Sequence, residues 1–310
     1  MDLSVVVVSW NVKNLLEACL RSVESTLAPG SLTWQLCVVD NASHDDSPQM
    51  VRGRFPQIKL IANTDNLGYA GACNQGLAWA EGEHCLVLNP DTEVKPGALA
   101  ALVEFLRSTP TAGMAGPRLI YPDGSFQHSA FAFPGLVQVA LDLFPAPGRL
   151  YESRCNGRYP RSWYAAGRPF RVGHPLGACI MVRKAALDSV GRMDTGFFMY
   201  CEEVDWARRF QRAGWQVYCV PAAEVVHHAG RSTEQVRPEM FAALWRSRLR
   251  YYDKHYGPVY TGVVRLLLRA GLRYQRSRPR REAARGQLSQ EALAQREEMY
   301  RRAEQMLHES

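Results

Sequence analysis

With 310 residues, 46% of them hydrophobic, the chain can form one large domain with a tail or two small domains around a substantial core, which excludes a disordered chain. Its formal charge of +7 gathers late, where Arg246, Arg248, Arg250, Lys254, Arg265, Arg269, Arg273, Arg276, Arg278, Arg280, Arg281 and Arg285 meet few acids. An anionic surface is therefore an expected neighbour of the C-terminal part. Eight cysteines scattered without a CxxC pair argue against a metal cluster or disulfide framework and for buried free thiols in a reducing compartment.

The opening "MDLSVVVVSWNV" has no basic leader, and its apolar run is too short for a signal peptide or a membrane span. It reads as the first core strand of a cytoplasmic protein. The Val-rich run is that of a strand buried on both faces, and "VKNLLEACLRSVES" switches to helical spacing. "TWQLCVVDN", "QIKLIAN" and "HCLVLNPD" are further strands, with "GYAGACNQGLAWAEG" and "PGALAALVEFLRS" as intervening or following helices. "TAGMAGPRLI" leads into another strand. Such βα repetition predicts a mostly parallel sheet covered by helices, with ligands beyond the strands' carboxyl ends. "PDG" marks a turn, and 136–170, rich in Pro, Gly and Arg, has no dependable period; a mobile loop over the active site and a plain surface excursion both fit it. "GHPLGACIMVRKAAL" is a strand running into a helix, and "EVDWARRFQRAG" is another helix.

Acids fall where those strands end: Asp40 in "VVDNAS", Asp91 in "LVLNPD", then Glu202 to Asp205 in "MYCEEVDWARR", followed by "EVVHHAG". Carboxylates so placed can hold a divalent cation and a polyphosphate in one crevice while another abstracts a proton, the chemistry of a sugar-nucleotide transferase. Each motif alone has a plainer reading. Asp40 could cap a turn, "NPD" could be a turn, a single histidine could be structural, and acids at a helix entry are favoured by the helix dipole.

Taken together, "VVVVSWN", "VVDNASHDDS", "NTDNLGYAGACNQGL", "LVLNPDT", "GPRLIYPDGSFQHS", "GHPLGACIMVRKAAL", "VGRMDTGFFMYCEEVDWARRFQRAGW" and "VPAAEVVHHAGRS" resemble, in order, a family 2 glycosyltransferase of the GT-A fold. The likeness is strongest to the bacterial branch of rhamnosyltransferases and other makers of surface polysaccharide. It implies a GT-A catalytic domain over 1–235 and a basic helical extension over 236–310. By this resemblance Asp40 binds the nucleoside, with Ser9 to Asn11 lining the same pocket, and Asn66, Gly68, Gly71 and Asn74 follow the third strand. Asn89 and Asp91 occupy the first and last places of the DxD motif, leaving Asp91 as the carboxylate on Mg2+ or Mn2+ and Asn89 to contribute its amide. His227 matches the family histidine that completes the metal shell, with His228 a pocket or packing residue. Glu203 aligns with the catalytic base, where the family has Asp; the extra methylene moves the carboxylate by roughly 1 Å. Gly177 and Ala178 make room for a sugar ring, while Glu202, Asp205 and Arg209 frame the acceptor side. Arg118, Asp123 and Ser125 are pocket or turn residues.

The resemblance implies an inverting transfer from dTDP-rhamnose or a UDP-sugar to a saccharide or lipid-linked saccharide. A non-catalytic saccharide-binding relative is the alternative. A dinucleotide enzyme is excluded because "SWNVKN" follows the first strand in place of GxGxxG, and no nucleic-acid module is present. From Phe241 to Arg281, aromatic and leucine residues mix with arginines on predicted helices, which fits either peripheral contact with anionic lipid or packing on the catalytic domain or another subunit. The last helix, "QEALAQREEMYRRAEQMLHES", fits an oligomer contact or a frayed end.

Overall fold

A computed structural model describes residues 1–27, 30, 32–229, 237–284 and 289–309; Gly230 to Ser232 of the last motif and Arg285 lie outside the described residues, as do the side chains of Arg278, Arg280 and Arg281. The chain divides into two compact units. The first comprises Met1–Phe133, Tyr159–Phe198 and Glu202–Ser232; the second comprises Pro134–Arg158, Met199–Cys201 and Thr233–Ser310.

The first unit begins with β1 (Leu3–Ser9), α1 (Lys13–Leu27), β2 (Trp34–Asp40), α2 (Ser47–Arg54), β3 (Lys59–Ala62), α3 (Gly68–Trp79) and β4 (His84–Leu88). β5 (Thr92–Val94), α4 (Ala98–Ser108), β6 (Ala112–Ile120), β7 (Phe126–Gln127) and β8 (Ala130–Phe131) follow. Within its main sheet the neighbours β3-β2-β1-β4 pair parallel to one another. All of β1 is buried because it is covered on both faces. Val5 and Val7 join the core under α1 and α4, while Val6 and Val8 join the core that includes α3. A side chain on Gly76 would collide with Val6, so glycine lets α3 lie directly on β1.

The chain then passes through α5 (Leu136–Leu143), α6 (Gly148–Tyr151), a single 3-10 turn and α7 (Arg161–Ala165). The aperiodic stretch is thus mostly short helices, and 134–158 belong to the second unit. β9 (Phe170–Arg171), β10 (His174–Pro175), β11 (Cys179–Arg183), α8 (Lys184–Val190), α9 (Glu202–Arg212) and β12 (Gln216–His227) complete the first unit. β11 enters the sheet antiparallel to both β4 and β6, and β12 runs parallel to β6 but antiparallel to β5. The β6–β12 register shifts between Val220 and Glu224, around Pro221, where a missing N–H costs no ladder bond.

In the second unit α10 (Arg237–Tyr256), α11 (Pro258–Ala284) and α12 (Gln290–Glu309) pack on one another, and α5 packs on α11. Trp245, Leu249, Tyr252, Val264, Leu268, Leu272, Tyr300 and Met306 are buried. Arg248 stacks over Trp245 and pairs with Asp142 at 2.7 Å. A Cβ at Gly271 would lie 2.6 Å from Leu143, so glycine sets the closeness of α11 to α5. Of the cysteines, Cys155 alone is exposed; all eight are free thiols.

Candidate active site

Ser9 and Asp40 face each other across the parallel β1–β2 register, at the carboxyl edge of the sheet. Asp40 Oδ2 accepts from the Ser43 amide at 2.9 Å, whereas Asp40 Oδ1 and Ser9 Oγ are buried with no hydrogen-bond partner among the described residues. Two buried polar atoms in that state stand ready for a ligand's polar groups. Asn11, at φ 53°, donates from its amide to Ser43 Oγ and accepts from His44 N, which staples the two loops. Asn41 organises the adjoining wall: its amide donates to Asn66 Oδ1 at 2.7 Å and its oxygen accepts from Leu67 N. Asn66 Oδ1 also accepts from Gly68 N. Gly68 has φ +73°, and a Cβ there would lie 2.5 Å from the Phe198 carbonyl, which accepts from Tyr69 N.

Asn89 leaves β4 with its N–H donated to Ala178 O at 2.8 Å. Its side-chain oxygen accepts from Tyr69 Oη at 2.8 Å, and the same hydroxyl lies 3.2 Å from Gly177 O. The oxygen being engaged, the Asn89 NH2 is the group left to meet a ligand. Two residues on, Asp91 is buried, and its carbonyl accepts from His228 N. β5 then pairs with β12, setting Thr92 against His227. His227 Nε2 lies 3.5 Å from Asp91 Oδ1, an oxygen without a hydrogen-bond partner among the described residues. His227 Nδ1 lies 3.2 Å from Gln127 Oε1. An amide oxygen only accepts, so Nδ1 carries the proton and Nε2 presents a lone pair. Two donor atoms this far apart suit a cation with bonds of about 2.1 Å. The residues present therefore fit a divalent ion. Among the described residues no group of three His, Cys, Asp or Glu assembles, so the protein offers this pair. His228 turns away and pairs with Glu93 at 2.7 Å.

The third corner is the first turn of α9. Tyr200 and Cys201, at φ 67° and 64°, take left-handed conformations directly before it, strain of the kind found beside functional groups. Glu202 is buried, with Oε2 unpartnered among the described residues; burial, then the neighbouring Glu203 charge, push its carboxyl well above the usual range. Glu203 is half-buried, and burial pushes it up to about 7. Its side chain lies over Gly177, where a Cβ would stand 3.6 Å from Cγ.

Other residues singled out in the sequence do different work. Asp205, fully buried, pairs with Arg209 at 2.8 Å, and Arg209 also donates to the carbonyls of Val190 and Arg192, fixing the segment after α8. Both ends of the Asn74 amide bond the Met193 backbone. Asp123 accepts from Ser125 N in an exposed turn, and Arg118 approaches Glu224 at 3.8 Å. Tyr69 and Gln127 carry roles that the sequence reading missed. Both lie inside quoted motifs, but only their partners' distant positions reveal them.

This layered sheet, with its acids at the carboxyl edge, defines a GT-A nucleotide-sugar transferase. The fold matches a mannosyltransferase of Pyrobaculum calidifontis in complex with GDP-Man and Mn2+, with TM-score 0.60 and 16% identity over 99% of this chain and 87% of that one. It also matches GalNAc-T7 with UDP, GalNAc and Mn2+, with TM-score 0.55 and 17% identity over 73% and 43%. The chain belongs to glycosyl transferase family 2, whose model matches residues 4–191, and is a glycosyltransferase. It is 33% identical, over 82% of its length and 85% of the relative's, to the N-acetylglucosaminyl-diphospho-decaprenol L-rhamnosyltransferase of Mycobacterium tuberculosis. No helix among the described residues is long and apolar enough to cross a membrane.

Proposed function

We propose that the chain transfers a sugar, rhamnose from dTDP-rhamnose ahead of a UDP-sugar, with inversion, to a lipid-linked saccharide. Rhamnose and the lipid-linked acceptor are supported by the mycobacterial relative's name. The observation that carries the reading is the Tyr69 hydroxyl, within reach of both Asn89 and the Gly177 carbonyl, because it joins the proposed diphosphate site to the wall on which Glu203 lies.

In this mechanism Asp40 Oδ1 and Ser9 Oγ receive the nucleoside, Asn66 and Gly68 shape the adjoining wall, and Asn89 donates to the diphosphate. Asn74 holds that wall through Met193. Gly177 and Ala178 leave space for the sugar ring. Asp91 and His227 would hold Mg2+ or Mn2+, which when bound offsets the charge of the leaving diphosphate. Glu203, ionised, takes the proton of the acceptor hydroxyl as its oxygen bonds to the anomeric carbon from the face opposite the diphosphate. The bond to the diphosphate breaks, its electron pair leaves with the diphosphate oxygen, and the configuration inverts. Glu202 borders Glu203, and the buried Asp205–Arg209 pair holds α9 in place beneath them.

Purified protein given dTDP-rhamnose or a UDP-sugar and a lipid-linked saccharide, with Mn2+ or with chelator, tests this. Inverted product from one donor, lost on chelation, is expected. Nucleotide binding without transfer to any saccharide would mark a non-catalytic relative instead.

A further inference from the structure

One face of α11 is unused by sugar transfer. From Pro258 to Arg281 the sequence holds seven arginines and no Asp or Glu. The inner face, Thr261, Val264, Leu268, Gly271 and Leu272, is buried. The outer face is apolar yet exposed: Val259 by 83%, Leu266 by 67%, Val263 by 42% and Tyr274 by 39%, with Ala270 exposed between them. At 3.6 residues per turn, Val259, Val263, Leu266 and Ala270 fall within an arc of about 60°, along a crest about 20 Å long when Tyr274 is included. Arg269 and Arg273 stand exposed on one shoulder of that crest and make no ion pair among the described residues.

We propose that this face of α11 docks the protein on an anionic lipid surface, with the crest entering the acyl boundary and the arginine shoulder meeting headgroup phosphates. An interfacial helix requires that division between an apolar crest and basic shoulders. Charge complementarity selects the occupant. Arg269 and Arg273 beside the crest repel a second copy presenting the same face, and an apolar crest adds nothing to a contact with a polyanion lacking acyl chains. Helices of this composition bind through both buried apolar area and attraction to anionic lipid, so neither part suffices alone.

Flotation of the full chain with vesicles of phosphatidylcholine, with or without phosphatidylglycerol, tests the proposal. The protein is expected to float with anionic vesicles and not with neutral ones, and to be released as salt rises. V263S/L266S should lower the partition on the order of tenfold, and R269E/R273E by at least as much. Wild-type protein that stays with the pellet, or both variants floating like wild type, would overturn it. So would a fall in solution mass in either variant, which would make the face a contact between copies. Should a double variant unfold, Arg269→Glu alone is read in the same way. Transfer to a water-soluble saccharide by both variants at the wild-type rate is expected. If wild-type protein floats but transfers no sugar, the catalytic reading fails and this one stands.

Discussion

Glu203 stands where the family resemblance puts an aspartate, and its surroundings fit a longer side chain. Gly177 offers a bare backbone beneath it, so the carboxylate can lie along that wall without meeting a Cβ. Burial brings its ionisation to about 7, near the working range of a general base. The base acts when deprotonated, so kcat/KM should climb with pH up to about 7 and then level off. Glu203→Gln should cost about 10²–10⁴-fold in transfer and leave nucleotide binding intact, as read by turnover beside calorimetry. Unchanged turnover would remove Glu203 from the role. Tyr69 acts through Asn89. With its hydroxyl gone in Tyr69→Phe, the amide loses its orientation, and donor affinity should fall about fivefold at nearly constant kcat, the worth of one ordinary hydrogen bond. A loss confined to melting temperature would make Tyr69 a packing residue only.

The strands most easily read from the chain were those buried on both faces, because covering both sides turns alternation into a continuous apolar run, as in β1 and β4. The direction of β11 was not legible: "CIMVR" has the same character parallel or antiparallel, and only its pairing with β4 and β6 distinguishes them. The helices between 136 and 165 escaped because they are too short for a period to register. Among candidate site residues, Asp40, Asp91 and His227 were singled out by the family resemblance of their motifs, whereas Gln127 lies 100 residues from His227 in sequence and was invisible without β7. Helix α9 shows a limit of another kind. Its i,i+4 spacing allowed Asp205 to meet Arg209, but spacing alone could not say that Arg209 also ties down Val190 and Arg192. The buried carboxylate and its three-way guanidinium therefore set where the first turn of α9 points. Asp205→Ala should destabilise the chain by about 3–5 kcal/mol in urea unfolding, since it strands a largely buried cation. If Asp205 instead touched the acceptor, the loss would appear in the acceptor KM with the unfolding midpoint unmoved.

Stability and ligand binding meet in the same set of unpartnered groups. Glu202 and Glu203 both have carboxyls raised above the ordinary value of 4.5 by burial. The folded state therefore holds protons that the unfolded chain releases. Their contribution to stability is fully present below pH of about 4.5 and is lost as pH rises toward and through the folded values, near 7 for Glu203. Glu203→Gln should flatten that decline between about 5 and 7, observable in melting temperature against pH. At the opposite corner, Asp91 and His227 place two donor atoms 3.5 Å apart with Gln127 behind the imidazole. A nucleoside diphosphate and a cation should therefore stabilise the fold together more than either does alone, because each supplies ligands or charge that the other needs. At about one hundred times Kd the gain is about 2.7 kcal/mol, enough to move a melting curve measurably. dTDP with Mn2+ is expected to raise the melting temperature, and chelator, Asp91→Asn or His227→Ala should each abolish the metal-dependent part. The same rise with nucleotide alone, unaffected by Mn2+ or by either substitution, would mean that the diphosphate is held by Asn89 and backbone groups and that the Asp91–His227 pair serves the fold only.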